Sequence, residues 1–477
     1  MPHMFSIVLQ WELFSGSQEH SGENILIFFA IPNILHWCIP VPGEIPEDTK
    51  MRPANGNGEI FLLFLIVAAY GSDKTVMLYL ERSHMRMRIA RDAAMPKIFI
   101  STAEPSADRH ASHLTASLLR EVDGLVVDAA GGKRMAEAGA NMLVDMTGQA
   151  VMGFWAALGH LRFYKRAMDR IVDHLVREKH DALVVVDAPS FHLRLARRVK
   201  KRLPHLPIIY YIAPKLWAWK EWRVKNLKRD IDKTLCIFPF EEKFFGDRGV
   251  DAVFVGNPTL DQVRRVSGDA LTRVLHVEDV KRHNTPEKGV VAIFPGSRKS
   301  EIKYIWPLMT DTLALLRVRF PELKAAVAIA PGWSEERLAE YAPLPDNATF
   351  IDGESQELLD AASVVLAKSG TTTLEAAFLG KPMVVTYKGD AASFFIARKF
   401  VKLPYVSLPN IVAGKMLVRE FLQNEATPEN LAGEIGELLS NPKYYRTMRS
   451  KLKRLRDNFG QDTASDGAAR EIAAFLK

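Results

Sequence analysis

The sequence predicts an α/β protein with two doubly wound Rossmann-like domains that face a central cleft, and two observations support this. From Met95 onward, unbroken apolar segments alternate with helical ones, as expected for strands buried on both faces of a parallel sheet. The alternation stops in the polar stretch "RVSGDALTRVLHVEDVKRHNTPEKG" and then restarts. We therefore predict a first domain over 95–265, a linker over 266–288 and a second domain over 289–455, with a C-terminal helix over 456–477 that returns to the first domain.

The apolar segments have the lengths and endings of parallel strands. In the first domain they are "KIFIST", "GLVVDAAG", "ALVVVDAP", "IIYYIAP", "KTLCIFP" and "AVFVGNP"; in the second they are "VVAIFPGSR", "KAAVAIAPG", "ATFIDG", "SVVLAKSG" and "PMVVTYKG". Several end in Gly, Pro or Asp. Loops at the carboxyl ends of parallel strands hold the ligand in such folds, so these endings are the first place to look for a site.

Composition sets limits on the function. The chain has 477 residues, of which 48% are apolar and 25% charged, as in ordinary globular proteins. Two cysteines argue against a disulfide framework and indicate a reducing compartment. Residues 1–94 carry ten acidic and seven Lys/Arg residues, so a net charge of +10 falls on the remainder. Such a basic body suits anionic ligands, anionic lipid surfaces or nucleic acid.

Residues 1–94 differ from the rest of the chain. The stretch "ENILIFFAIPNILHWCIPVPGEIP" is apolar but interrupted by prolines, and "IFLLFLIVAAY" has only 11 residues. A helix needs about 20 apolar residues to span a bilayer. We expect a poorly structured extension or a start assigned too early, with Met95 as the true initiator. A membrane-associating segment is the alternative.

Two glycine-containing loops in the second domain suggest a diphosphate site. In "SGTTTLEAA", Gly370 lies at a turn from strand to helix, where free N–H groups and the helix dipole favour an anion. In "FPGSRKSEI", Gly296 and Ser297 precede Arg298, whose guanidinium can hold a phosphate by paired hydrogen bonds. An ordinary helix N-cap is the alternative for either loop. Glu375, in the first turns of the helix after Gly370, could bind ribose hydroxyls or simply stabilise the helix dipole.

The first domain offers carboxylates. Asp187 directly follows the buried strand of "VVVDAPSF", where a carboxylate can act as general base or form an Asx-turn. Glu104 and Asp108 follow the first strand in "STAEPSAD", as part of a substrate loop or of a helix cap. "HASH" and the Asp230/Asp232 pair of "RDIDK" have metal-ligand spacing, but we expect surface histidines, a solvated helix-to-strand junction and no metal or cofactor.

Basic and aromatic residues interleave in the first domain. The stretches are "VMGFWAALGHLRFYKRAMDRI", "WAWKEWRVKNLKR" and "RLARRVKKR". A surface of this composition can dock on anionic lipid, although core packing with a solvated far face explains each stretch singly. Because all three lie in the first domain, we expect that domain to face a membrane and to bind the acceptor.

Taken together, these motifs resemble the lipid-A-disaccharide synthase family of GT-B-type inverting glycosyltransferases. The resemblance runs from about residue 95 to residue 423 through "AEPSAD", "GGKRM", "AVMGF", "VVVDAPSF", "YYIAPKLWAW", "RVKNLKRDIDK", "FPFEEKFF", "FVGNP", "FPGSRKSEI", "SGTTTLEAA", "KPMVVTYK" and "YVSLPNIVAGKMLVREFLQ". It implies transfer of glucosamine from UDP-diacylglucosamine to the 6-hydroxyl of diacylglucosamine 1-phosphate (lipid X), with release of UDP. It also implies that the enzyme needs no metal and acts in the cytoplasm, as a peripheral protein on the inner face of the inner membrane. It implies no nucleic acid partner, and it leaves a homodimer open.

The resemblance also implies roles for individual residues. Asp187 would be the base and Arg298 would neutralise the leaving group. The UDP-sugar would be bound by Gly296, Ser297, Arg298, Ser369, Gly370, Thr371, Thr372, Thr373, Glu375, Asn410 and Gln423. The acceptor side would comprise Glu104, Ser106, Asp108, Met152, Phe154, Trp217 and Trp219.

Several positions depart from the family pattern. Ala103 and Ala107 replace the glycines of the usual GE-x-SGD loop, Ser190 and His192 alter D-x-P-D-F-N, Asn257 replaces the histidine of G-H-P, and Arg419 replaces the proline of V-P-E. The departures concentrate on the acceptor side. Two alternatives therefore stay open: another GT-B enzyme that uses a UDP-amino sugar, and a non-catalytic descendant that binds nucleotide sugar or lipid.

Overall fold

The computed structural model describes residues 25–29, 38–41, 64–67, 77–79, 88–90, 95–147, 154–275, 289–346, 348–390 and 403–476. Internal contacts divide the chain into two units, Met1–Met95 and Pro96–Lys477. In the first unit, strands β1 (Ile25–Phe29), β2 (Cys38–Val41) and β3 (Phe64–Val67) form an antiparallel sheet in the order β2-β1-β3. Strands β4 (Met77–Tyr79) and β5 (Arg88–Ala90) form an antiparallel pair.

The second unit begins with a seven-stranded parallel α/β domain, the N-domain. Its strands are β6 (Lys97–Ser101), β7 (Val126–Gly131), β8 (Asn141–Asp145), β9 (Ala182–Val186), β10 (Ile208–Tyr211), β11 (Lys233–Cys236) and β12 (Ala252–Phe254). Its helices are α1 (Pro105–Glu121), α2 (Lys133–Glu137), α3 (Phe154–Glu178), α4 (Pro189–Arg202), α5 (Val224–Asp230) and α6 (Pro239–Gly246). The strand order β12-β11-β10-β9-β6-β7-β8 reverses direction between β6 and β9. Crevices at such switch points are where doubly wound sheets bind ligands.

A six-stranded parallel sheet forms the second α/β domain, the C-domain. Its strands are β13 (Val290–Phe294), β14 (Lys324–Ile329), β15 (Ala348–Asp352), β16 (Val364–Lys368), β17 (Met383–Tyr387) and β18 (Arg419–Leu422), in the order β15-β14-β13-β16-β17-β18. Its helices are α9 (Lys299–Arg319), α10 (Glu335–Ala339), α11 (Ser355–Ala361), α12 (Thr371–Phe378), α13 (Leu408–Ala413), α14 (Pro428–Ser440) and α15 (Pro442–Asp457). The switch point lies between β13 and β16. The predicted fold, two doubly wound Rossmann-like domains, is confirmed.

The chain passes between the two domains twice. Helices α7 (Pro258–Val263) and α8 (Asp269–Val274) lie on the first passage, and the turn before α16 (Ala464–Leu476) forms the second. Arg264 joins the passages, because its guanidinium donates to the carbonyls of Gly460 at 2.6 Å and Gln461 at 2.7 Å. Helix α16 then packs along α1 of the N-domain, where the Asp466 carboxylate accepts from Ser117 at 2.7 Å.

Aromatic rings fill the joint between the domains. Phe459, at the second passage, is 4.8 Å from Phe378 of the C-domain and 6.4 Å from Phe238 of the N-domain, measured between ring centroids. All three side chains are buried, and a single apolar cluster extends from one sheet to the other through them. Burial of apolar surface therefore holds the two domains together at this joint.

Candidate functional site

The loop after β13 contains a glycine in a backbone conformation that other residues disfavour. Gly296 has φ +104, in the region that side chains disfavour, and a Cβ there would come within 3.3 Å of the Glu301 carboxylate. Glu301 is buried and lies 3.0 Å from Lys368 Nζ and 3.3 Å from Arg298 Nη1. The Arg298 side chain is 76% exposed. The buried carboxylate thus anchors one face of a guanidinium that remains open to a ligand, next to Ser297 at the start of α9.

The loop after β16 gives α12 a bare N-terminus. Gly370 has extended backbone (φ 175), and Thr371 and Thr372 begin the helix at positions that are exposed and half-buried. Two other hydroxyls are used internally: Ser369 donates to the Val406 carbonyl at 2.8 Å, and Thr373 to the Gly370 carbonyl at 2.7 Å. Ser369 and Thr373 therefore shape this loop, while the amides of the first helical turn are the groups that can face an anion.

Glu375 lies where the domains approach each other. Its carboxylate accepts from Gln356 Nε2 at 3.2 Å, and the same amide lies 3.4 Å from the Gln262 side-chain oxygen. That oxygen also accepts from Arg109 of the N-domain at 3.0 Å. Burial raises the pKa of Glu375, against the opposing effects of Gln356 and the Arg109 charge. Arg109 lies in α1, the helix after β6, so the helices that follow switch-point strands of both sheets are linked through Gln262 and Gln356.

Asn410 and Gln423 differ in what they can offer. Asn410 is fully buried; its amide donates to Val418 and Glu420, and its oxygen accepts from the backbone N–H groups of Leu417 and Val418. All its hydrogen-bonding positions are filled by the protein. Gln423 has φ +50 and accepts from Gly389 N, while its Nε2 is a buried donor without a partner among the described residues.

Asp187 occupies the switch point of the N-domain on strained backbone. It has φ +53 and the next residue, Ala188, has φ +45, in the left-handed region that non-glycine residues rarely adopt. The Asp187 carbonyl accepts from the Tyr210 hydroxyl and from His192 Nδ1, both at 2.6 Å, and His192 Nε2 is 3.1 Å from the Ser101 hydroxyl. These bonds hold the carbonyl inward. Burial raises the pKa of the Asp187 carboxyl above its ordinary value, as a general base requires.

The loop after β6 contributes a second carboxylate. Partial burial and the charge of Asp187 raise the pKa of Glu104, so the two carboxyls interact electrostatically; Ser106, in the same loop, is exposed. Asp108 points elsewhere: it is buried and accepts from the N–H groups of Gly132 at 2.6 Å and Arg134 at 3.2 Å. It therefore fixes the start of α2. Ala103 and Ala107 both lack positive φ, so replacement of the usual glycines causes no strain.

The tryptophan-rich loop is anchored at one residue and exposed at others. Trp217 Nε1 donates to the buried Glu241 carboxylate at 2.7 Å, and its ring packs against Phe238 and Phe240. Trp219 is 55% exposed and Trp222 61% exposed. Met152 lies outside the described residues, as does the side chain of Phe154, the first residue of α3.

Sequence reasoning missed the residues that support the two loops. Tyr210 and His192 position Asp187, and Glu301 and Lys368 support Arg298, but none follows a recognisable spacing. The sequence marks His192 only as a departure from the family pattern. The signal that could have found Lys368 is its place as the last residue of an otherwise apolar strand, since a charge there needs a buried partner.

The two pairs with metal-ligand spacing lie in different surroundings. Asp230, expected at a solvated junction, is instead buried and bound by Arg229 and Arg197, while Asp232 accepts from Lys200. In "HASH", His113 is exposed as expected, whereas His110 is half-buried, and burial lowers its pKa to about 4.

A cluster that the sequence did not indicate, Asp128, His174 and His180, lies at the opposite edge of the N-domain sheet. Its ligand atoms lie within 4.8 Å of one another, as metal binding requires. However, the Lys97 ammonium is 3.1 Å from the carboxylate oxygen that both histidines contact.

Comparison with solved structures shows the fold class. They include the UDP-GlcNAc 2-epimerase of Neisseria meningitidis bound to UDP-GlcNAc, with a TM-score of 0.51 and 12% identity over 80% of this chain and 99% of that one. They also include the calicheamicin glycosyltransferase CalG4, with a TM-score of 0.52 and 15% identity over 80% and 98%. These likenesses show the GT-B fold, in which two Rossmann-like domains face each other.

The particular family follows from sequence comparison. The model of the lipid-A-disaccharide synthetase family matches residues 98–472, and this chain belongs to that family. Relatives include lipid-A-disaccharide synthase 1 of Legionella pneumophila (strain Lens), 34% identical over 369 residues, which are 77% of this chain and 94% of the relative. The synthase of Syntrophotalea carbinolica is 33% identical over 384 residues, 80% and 96% of the two chains. The predicted family and the hexosyltransferase class in lipid A biosynthesis are confirmed.

Proposed function

We propose that this enzyme transfers 2,3-diacylglucosamine from its UDP derivative to the 6-hydroxyl of 2,3-diacylglucosamine 1-phosphate, releasing UDP. The observation that supports this most directly is the bridge from Arg109 through Gln262 and Gln356 to Glu375. It brings the first helix of the N-domain next to the helix that follows Gly370. We infer that the carboxylate base on one sheet and the two anion-binding loops on the other share one crevice, as a direct transfer between two sugars requires.

In the proposed reaction, the Asp187 carboxylate takes the proton of the acceptor 6-hydroxyl as its oxygen attacks C1 of the donor sugar. The bond from C1 to the diphosphate breaks, and UDP leaves with the electron pair. Arg298 and the amides at the start of α12 stabilise the negative charge that develops on the diphosphate. Attack on the face opposite the leaving group inverts the configuration at C1.

The remaining predicted residues support this chemistry in different ways. Glu375 binds the ribose hydroxyls, and Gln423 directs its unpartnered amide to the donor. Asn410 acts indirectly, because its bonds to Val418 and Glu420 fix the start of the segment that leads to Gln423. Glu104 and Ser106 contact the acceptor, and Asp108 positions their loop.

An assay with UDP-diacylglucosamine and lipid X tests the proposal. We expect wild type to form the disaccharide, and Asp187→Ala to lose at least about 100-fold in kcat while still binding UDP, since general acid–base catalysis typically contributes that much. Arg298→Ala should weaken both UDP binding and turnover. Asp247→Asn, an exposed carboxylate paired with Lys243, is the control and should behave like wild type.

Other outcomes separate the alternatives. Binding of UDP without turnover by wild type would indicate a non-catalytic descendant. Turnover of UDP-N-acetylglucosamine in place of the diacyl donor would indicate another GT-B enzyme. Full activity of Asp187→Ala would remove the proposed base.

We further propose that the N-domain docks on the anionic inner face of the inner membrane, where both acylated substrates reside. Trp219 and Trp222 are exposed, with the Lys220 ammonium 4.3 Å from the Trp219 ring centroid and the Arg223 guanidinium 5.5 Å from that of Trp222. Exposed tryptophan beside cations suits the interface of a bilayer. Among the described residues, none of the helices is both long enough and apolar enough to cross a membrane.

Co-sedimentation with vesicles tests the docking. We expect binding to vesicles that contain phosphatidylglycerol, weaker binding to neutral ones, and loss of binding when Trp219→Ser and Trp222→Ser are combined. Unchanged binding by the double variant would assign the membrane contact to another surface.

A further inference from the structure

In the proposed function, the phosphate of the acceptor sugar has no cation assigned to bind it. The acceptor carries a phosphate on C1 and its reacting hydroxyl on the carbon attached to C5, and C1 and C5 are the two carbons that flank the ring oxygen. If the hydroxyl is at Asp187, the phosphate must lie only a short distance away. The Asp187 and Glu104 carboxyls interact electrostatically, and as carboxylates both repel an anion. A cation is needed on the same sheet edge.

Lys215 has the required position. Strand β10 is the neighbour of β9, with Tyr211 paired to Val186, so the residues that follow both strands emerge side by side. The Asp187 N–H donates to the Tyr211 carbonyl at 3.0 Å, which continues the pairing into the loop. Lys215 comes four residues after Tyr211. Its charge reaches the Asp187 carboxyl, where it favours the ionised form.

The backbone of the loop around Lys215 is held in place, whereas the Lys215 side chain can reach a ligand. Ala213, Pro214 and Leu216 are buried, and the Lys215 carbonyl accepts from the N–H groups of Ala218 and Trp219. The bond from Trp217 to Glu241 anchors the loop to α6. The Lys215 side chain is exposed and its ammonium is 5.9 Å from the centroid of the Phe238 ring.

The Lys215 ammonium has no carboxylate within ion-pair distance among the residues that the structure describes. Cations further along the loop also lie over rings: Lys220 over Trp219, and Arg223 and Lys225 over Trp222. The Lys215 charge acts on the Asp187 and Glu241 carboxyls without an ion pair to either. A flexible ammonium in that situation is suited to a compact dianion such as a phosphate monoester.

We infer that Lys215 binds the phosphate of the acceptor sugar and thereby sets a preference for a phosphorylated acceptor. The inference rests on the proposed function. It assigns the acceptor phosphate to the N-domain and the donor diphosphate to the C-domain, so each anion has its own cation, Lys215 and Arg298.

Acceptor selectivity tests the inference. The probes are 2,3-diacylglucosamine 1-phosphate and the same sugar without the phosphate, and the measured quantity is the ratio of their kcat/KM values. We expect Lys215→Met to lower this ratio about 10- to 100-fold, the usual effect of losing a hydrogen bond to a charged group. The loss should fall on the phosphorylated acceptor, with the KM for the UDP donor unchanged. Lys215→Arg, which keeps the charge, should retain most of the selectivity.

The matched control is Lys201→Met, an exposed lysine in the last turn of α4, at the opposite edge of the sheet. Its ratio should equal that of wild type, and equal melting temperatures for all variants would exclude misfolding. A Lys215→Met enzyme that loses activity equally on both acceptors, or keeps its selectivity, overturns the inference but leaves the proposed function in place. Absence of disaccharide from wild type overturns both.

Discussion

At the scale of single residues, the site depends on backbone conformations that sequence patterns reveal only for glycine. Gly296 could be predicted to matter because it follows a strand and precedes Arg298. The sequence Asp187-Ala188 does not indicate that two successive non-glycine residues adopt left-handed backbone. Such strain persists only where the surroundings enforce it, here through the bonds from Tyr210 and His192 to the Asp187 carbonyl. Those partners come from different elements, so spacing could not indicate them.

The two glycines of the proposed diphosphate loops should respond differently to substitution. We expect Gly296→Ala to lower the free energy of unfolding by about 1–3 kcal/mol, because φ +104 disfavours any side chain. Gly370→Ala is the matched comparison: Gly370 has extended backbone, and a Cβ would find only the Lys368 side chain and carbonyl at 3.8 and 3.9 Å. Its unfolding free energy should change by less than about 0.5 kcal/mol. Chemical denaturation measures both, and equal losses would contradict this account.

At the scale of elements, the buried strands were predictable and two edge strands were not. Every apolar segment identified in the sequence forms a strand in one of the two parallel sheets. In the two parallel sheets, the strands missed are β8 and β18, which lie at sheet edges and have partly exposed, partly charged sequences, "NMLVD" and "REFL". An edge strand has a neighbour on one side only and needs no unbroken apolar run, so the pattern that identifies central strands is absent.

Close packing of α16 against the N-domain can be tested with two glycines in helices. A Cβ on Gly467 would lie 2.4 Å from the Val255 carbonyl oxygen, whereas Gly433 in α14 has open space around it. We expect Gly467→Ala to destabilise the protein by about 1–3 kcal/mol, because the helix must move away from β12. Gly433→Ala should stabilise it by up to about 1 kcal/mol, because alanine is the better helix former. Stabilisation by both substitutions would show that α16 does not pack this closely.

At the scale of the whole molecule, the N-domain sheet carries the proposed site at the carboxyl ends of its strands and a stabilising network at their amino ends. The edge at the carboxyl ends of the strands carries the proposed site, with the left-handed backbone of Asp187 and Ala188. At the opposite edge, the Asp128 carboxylate accepts from Asn141, His174, His180 and Lys97, which tie together the starts of four strands and the end of α3. The switch-point site could be anticipated from strand order and loop glycines. This network could not, because its members are spread over more than 80 residues of sequence.

The network predicts how stability depends on pH. These hydrogen bonds lower the pKa of Asp128 from 3.8 to about 2, against the effect of its burial. A lowered carboxyl pKa stabilises the fold above the unfolded value, and this contribution is lost as pH falls from about 4 towards 2. We therefore expect Asp128→Asn to be less stable than wild type at neutral pH, with the difference shrinking over that interval. Urea unfolding at a series of pH values measures this, and a constant difference down to pH 2 would contradict it.

The double passage of the chain between the domains limits how the crevice can open. One connecting segment would permit swivelling in every direction. Two segments, joined by the Arg264 guanidinium beside the Phe459 ring, restrict a relative movement of the domains to a hinge at this joint. We therefore expect substrates to enter and products to leave on the side away from the hinge.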